Sequence, residues 1–162
     1  MSDQLIEQLL DTWAIHNRIT RFVLAAIADD ALSGVSASGG RSVREQYAHL
    51  HNVRLMWIEA AKPELMADLQ KIPTKTKADK DAITRAVIES SLQASEAAIA
   101  EVLREGLTTG RIKGFKPHPV AFIGYLIAHE SYHWGEIGII LTQAGTPLDQ
   151  KTAYGMWEWG VR

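Results

Sequence analysis

A long apolar segment, opened by Pro117-His118-Pro119 and stopped at Gly145 with Pro147 just beyond, constrains this chain more than any other feature. Proline at the first helical position and glycine past the last one punctuate a helix. That helix carries His129-Glu130-Ser131-Tyr132-His133. Residues at i and i+4 share a helical face with Cβ atoms about 5 to 6 Å apart, so both imidazoles can converge on one ion at ~2.1 Å. The same string spells H-E-x-x-H, the zinc-peptidase motif.

Three other segments share the helical period. Apolar residues recur at Leu9, Leu10, Trp13, Phe22, Val23, Ala26 and Ile27 between about Gln4 and Leu32, which predicts helix 1. Gly34 to Gly40 interrupts it, and Ser42-Val43-Arg44-Glu45 matches a capping box that starts helix 2, expected to end near Ala61 ahead of Pro63. Lys71 to Lys80 reads as an exposed linker, followed by helix 3 from about Asp79 to Arg104 with many small residues for close packing. Gly106, Gly110 and Gly114 form the loop before helix 4, which Pro117-His118-Pro119 opens and which continues to Gln143.

Nothing alternates like a strand for long enough to build a sheet. The pattern predicts an all-α, four-helix bundle occupying residues 1–162 as one domain. With 162 residues, 46% of them hydrophobic, the chain has enough apolar material for one core. The tail from Lys151 to Arg162 holds Tyr154, Met156, Trp157 and Trp159 and is too aromatic to stand alone in water. It is expected to pack on the bundle or on a second copy, giving a homodimer.

Composition narrows the chemistry. The chain has no cysteine, which excludes disulfides, thiolate nucleophiles and sulfur-ligated metals, so a transition-metal site must use His, Asp, Glu and water. Its 17 basic and 19 acidic residues are interspersed, and no basic block is long enough to track a phosphate backbone, so nucleic acid is not an expected partner. No window reaches about 18 apolar residues and Met1-Ser2-Asp3-Gln4 does not open a secretory signal, which predicts a cytoplasmic protein without a membrane partner. There is no G-x-S-x-G elbow, Walker loop or dinucleotide fingerprint.

With His129 as zero on a helical wheel, Phe122, Tyr125, His133, Glu136 and Ile140 fall within about 40°, whereas Glu130 lies about 100° away. A metzincin would place glycine three residues and histidine six residues after His133, where this chain has Glu136 and Ile139. The gluzincin alternative has only Glu158 as a third ligand, in a tail with little room for a helix, and there is no sheet to bind an extended peptide. The peptidase reading is therefore disfavoured.

His49, in Ala48-His49-Leu50-His51, is the better third ligand. It shares a helix-2 face with Val53, Met56 and Ala60, read as the core-directed side, while His51 lies some 160° from that stripe and is read as a surface or interface residue. His16 and His118 are expected to be structural or solvent-facing. Arg54 is expected to be a surface salt-bridge partner, and Tyr125 and Trp57 to line a pocket. Three neutral imidazoles plus water leave an open position, the pattern of catalytic sites. Glu136, one turn beyond His133, is the candidate catalytic carboxylate, as ligand orienter or general base; an ion pair or an acceptor without proton transfer is its alternative role.

The residues Trp13 and Asn17, Ala48-His49-Leu50 with Trp57, Ala128-His129-Glu130-x-x-His133-Trp134-Gly135-Glu136-Ile137, and Gly145-Thr146-Pro147 together resemble the DinB-like, or YfiT-like, family of metal-dependent enzymes across nearly the whole chain. The resemblance implies that His49, His129 and His133 hold a divalent metal, with zinc the first choice and nickel, manganese and iron also compatible. It implies a small-molecule substrate and a thiol-dependent transferase or isomerase acting through a low-molecular-weight thiol, with a metal-dependent hydrolase or a non-catalytic, stress-linked metal-binding bundle as alternatives. Trp134 and Glu136 stand where the family often has arginine and glutamine.

Overall fold

A computed structural model describes residues 2–161. Six α-helices occur in the order α1 (Asp3–Ala26), α2 (Val43–Ala61), α3 (Lys77–Asp81), α4 (Arg85–Thr109), α5 (Pro119–Gln143) and α6 (Gln150–Gly155), with short 3-10 turns at Asp30–Ser33 and Pro63–Asp68. Among the described residues there is no strand, only an isolated bridge between Ile112 and Phe115. No described helix is long and apolar enough to cross a membrane.

The four long helices form the bundle. α1 and α2 each pack against both α4 and α5, and α4 packs on α5. One end of the core gathers Ile19, Leu24, Tyr47, Leu50, Leu92 and Ile140; the other gathers Trp13, Leu55, Ile58, Ile99, Phe122 and Leu126. Local chemistry sets the helix starts. Ser42 Oγ accepts from Glu45 N–H while the Glu45 carboxylate accepts from Ser42 N–H, so two otherwise orphaned donors are satisfied at the entry to α2. Pro119 occupies the first turn of α5 behind the His118 cap, and Gly110, at φ 81°, closes α4 in the left-handed conformation.

Several expectations are corrected. Helix 1 ends at Ala26 rather than Leu32, because Ile27 turns extended to bury its side chain and a 3-10 turn follows. The third helix is broken between Asp81 and Arg85: Thr84 takes an extended backbone, caps Val87 N–H, and lets Ile83 drop into the core. On α2, Met56 and Ala60 face outward, and the core side runs through Tyr47, Leu50, Arg54, Leu55 and Ile58. His51 and Arg54, expected at the surface, are buried at 1% and 0% exposure. In the tail, Thr152 and Gly155 are buried and Met156 touches the core, but Tyr154 and Trp157 point to solvent.

Candidate metal centre

The i, i+4 spacing on α5 stacks His129 and His133, and α2 brings His49 across to them. The three ring centroids stand 4.7 to 5.3 Å apart, with the rings steeply inclined to one another. One ligand nitrogen from each lies within 4.8 Å of the others. His49 and His129 are half-buried and His133 is buried.

Hydrogen bonding fixes how His133 presents itself. Its Nδ1 contacts Gln46 Oε1 at 2.7 Å and Glu136 Oε2 at 2.8 Å. Both partner atoms are acceptors, so Nδ1 carries the proton and donates, and in the neutral ring Nε2 keeps its lone pair. That Nε2 faces His129 Nε2 at 3.3 Å. Two nitrogens bound to one tetrahedral ion at ~2.0 to 2.1 Å stand about 3.3 to 3.4 Å apart, so the α5 pair already has the spacing of one edge of such a site.

Electrostatics keep the trio neutral. Burial pushes His49 down to about 4, helped by the charge of Arg41 and by the two neighbouring imidazoles. Burial also lowers His129, with His133 the next cause, and lowers His133 against the opposing pull of Glu136. Neutral imidazoles are the ligating form. The three-histidine group therefore has the donor chemistry, protonation and spacing to hold a metal ion.

Glu130 faces the opposite way. Its Oε1 accepts from Arg54 Nε at 2.7 Å, and its Oε2 accepts from Arg54 Nη2 at 2.7 Å and His16 Nε2 at 2.8 Å. Burial alone would raise this carboxyl, but Arg54 and His16 outweigh it and hold the group at about 2. Arg54 also donates to Leu92 O and Ser95 Oγ and lies 4.8 Å from the centre of the Trp13 ring. His16 is sandwiched between Trp13 and Trp134. A carboxylate engaged on both oxygens in the core cannot activate water at the histidines, so the H-E-x-x-H string here is not the peptidase device.

The structure places the remaining candidates as follows. Glu136 sits behind His133, with Oε2 on its Nδ1 and Oε1 accepting from Tyr132 Oη at 3.2 Å. Tyr125 stacks along His129, and Trp57 meets Tyr125, Phe115 and Phe122 edge-on, so these aromatics flank the trio. His118 caps α5 and His51 Nε2 meets Gln70 O. A cleft of about 960 Å³ adjoins the site on the Glu136 side, lined by Arg41, Gln46, Tyr132, Gly135, Glu136 and Ile140 among others. Sequence reasoning missed Gln46, although its position three residues before His49 puts it near the same face of α2. It also missed the partnership of His16, Arg54 and Glu130, three polar residues on three different helices.

A family model described as DinB family matches residues 1–158. None of the curated proteins matches the chain.

Proposed function

The chain belongs to the DinB family, and from that premise we propose that it is a metalloenzyme whose ion is held by His49, His129 and His133. The observation that carries this is the orientation of His133: its Nδ1–H is spent on Gln46 and Glu136, leaving Nε2 3.3 Å from His129 Nε2 in a cluster that His49 completes. Zinc is the first choice for an all-imidazole donor set, with nickel, manganese and iron as further possibilities.

A divalent ion in this position supplies Lewis acidity and lowers the pKa of a bound thiol or water. The chain's own residues do the rest. Gln46 and Glu136 lock the tautomer and ring angle of His133, which makes Glu136 a positioning residue. Tyr125 fixes the plane of His129 by stacking. The chain has no cysteine, so a sulfur nucleophile must arrive with a cosubstrate. That fits a transferase or isomerase that uses a low-molecular-weight thiol, with the small-molecule substrate in the adjoining cleft and a metal-dependent hydrolase as the alternative.

The reading is tested by titrating metal-free protein with zinc and nickel in a calorimeter. One ion per chain is expected for the wild type, and loss of stoichiometric binding for His49→Ala and His129→Ala. Absence of binding in the wild type would overturn it. A homodimer belongs to the same proposal, supported by the exposed Tyr154 and Trp157 of the tail. Light scattering that returned one chain mass at working concentration would end that part.

A further inference from the structure

The 960 Å³ cleft is formed by α5 and by the loop that enters α2. The loop is held in place. Gly39 and Gly40 adopt φ 84° and 104°, a backbone region that side chains other than glycine rarely tolerate. Gln143 Oε1 on α5 accepts from Ala37 N–H at 2.8 Å, and the Ser42 cap fixes the far end of the loop. Arg41 thereby lines the cleft together with Gln46 and Glu136.

Arg41 is exposed, and among the described residues its side chain has no hydrogen bond or ion pair with the protein. The arginines within the long helices are engaged: Arg21 with Glu96, Arg44 with Leu32 O and Lys80 O, Arg54 with Glu130, Arg85 with Asp29, and Arg104 with Glu7, whereas Arg111, in the loop after α4, is exposed like Arg41 but lies outside the cleft. The cleft thus presents one free guanidinium beside a metal-ligating trio, and its charge is felt by all three imidazoles. Arg41 is the single cation of the described lining, and Glu136, already holding His133 and Tyr132, is its single anion. That balance suits a singly charged anion better than a phosphate dianion, which would want further cations. The planar two-donor fork of arginine matches the two oxygens of a carboxylate.

We propose that Arg41 is a specificity-determining residue that pairs with a carboxylate group of the substrate lying in this cleft. This rests on the metalloenzyme reading, in that the substrate's other end is placed at the three histidines.

The test uses the full chain loaded with cobalt and two thiols of equal length, 3-mercaptopropionate and 3-mercapto-1-propanol. Binding of each is followed by the thiolate-to-cobalt charge-transfer band, in the wild type, Arg41→Lys and Arg41→Ala. The wild type is expected to hold the carboxylate thiol about 5- to 10-fold more tightly than the alcohol, the effect of a charge-assisted hydrogen bond at a half-open site. Arg41→Ala should remove that preference, and Arg41→Lys should keep part of it, with cobalt stoichiometry unchanged in both variants. Equal binding of the two thiols by the wild type, or a preference that survives in Arg41→Ala, would overturn the role of Arg41 while leaving the metal site standing. Failure of the wild type to take up cobalt would overturn the metalloenzyme reading and this inference with it, and uptake of cobalt without binding of either thiol would overturn this inference alone.

Discussion

Arg54 Nε and Nη2 grip the two oxygens of Glu130 at 2.7 Å each, and both side chains are essentially sealed from solvent. This bidentate pair joins α2 to α5, the two helices that carry the three histidines. The glutamate of H-E-x-x-H therefore sets the rotation and depth of α5 against α2, so that the imidazoles on either side of it in sequence meet His49.

Removing one member of a buried ion pair leaves an uncompensated charge in the core and costs about 3 to 5 kcal/mol, a large part of a typical domain's stability. Glu130→Gln and Arg54→Met are each expected to lower the unfolding free energy by that amount, with a matching fall in the denaturation midpoint. The double variant Glu130→Met/Arg54→Met should recover most of it, because no charge remains unpaired. Urea denaturation of the metal-free forms checks this. A double variant no more stable than the singles would contradict the account.

His49 and His51 are two residues apart and should respond differently. His49→Ala is expected to abolish stoichiometric metal with little effect on the metal-free midpoint, since the ring is half-buried. His51→Ala should keep the metal but lose about 1 to 3 kcal/mol, because a buried ring is removed from the core together with its hydrogen bond to Gln70 O. Elemental analysis and denaturation of both variants decide the matter, and full occupancy in His49→Ala would remove that ligand.

Those two histidines also show where sequence reasoning reaches its limit. The helices of the bundle were legible because their ends carry local chemistry, such as the Ser42–Glu45 box and Pro119, and the His129–His133 pair was legible because helical spacing alone makes neighbours of them. The inward face of α2 was not. A stripe of apolar side chains pointed to Val53, Met56 and Ala60, but the core side includes Arg54 and His51, whose burial depends on Glu130 and Gln70 far along the chain. The break before α4 was hidden for a similar reason: Lys77 to Arg85 contains no glycine or proline, and only the pull of the core on Ile83 explains it.

Glu136 and Gln46 both accept from His133 Nδ1. Groups that orient a ligating histidine are worth about 10- to 100-fold in metal affinity. Glu136→Ala should weaken zinc by that factor in chelator competition, and Glu136→Gln, which keeps an acceptor, by less. The metal-free midpoint should move little, as Glu136 is about one-third exposed. Unchanged affinity in Glu136→Ala would show that the contact does not orient the ring.

Acid should act in two separate windows. His49 sits at about 4 in the folded chain against an ordinary 6.5, so between these values the unfolded chain binds a proton that the folded chain refuses. The stability contributed by its neutrality is complete above about pH 6.5 and is lost as pH falls toward 4. His129 and His133, also lowered, act in the same direction. Glu130, at about 2 against an ordinary 4.5, contributes fully above about pH 4.5 and is lost between there and 2. Melting temperature of metal-free protein should therefore fall across both windows, and Glu130→Gln should reduce the loss in the lower one, to which the lowered Glu45, Asp79, Asp81 and Asp149 also contribute, while leaving the upper one unchanged. Protons compete for the ligand nitrogens, and all three imidazoles are held below their ordinary value, so zinc retained after dialysis should survive below about pH 6.5 and be lost as pH falls toward the value of about 4 that His49 holds. Loss of half the zinc by about pH 6.5 would mean that the imidazoles titrate as free side chains and are not held neutral by the bundle.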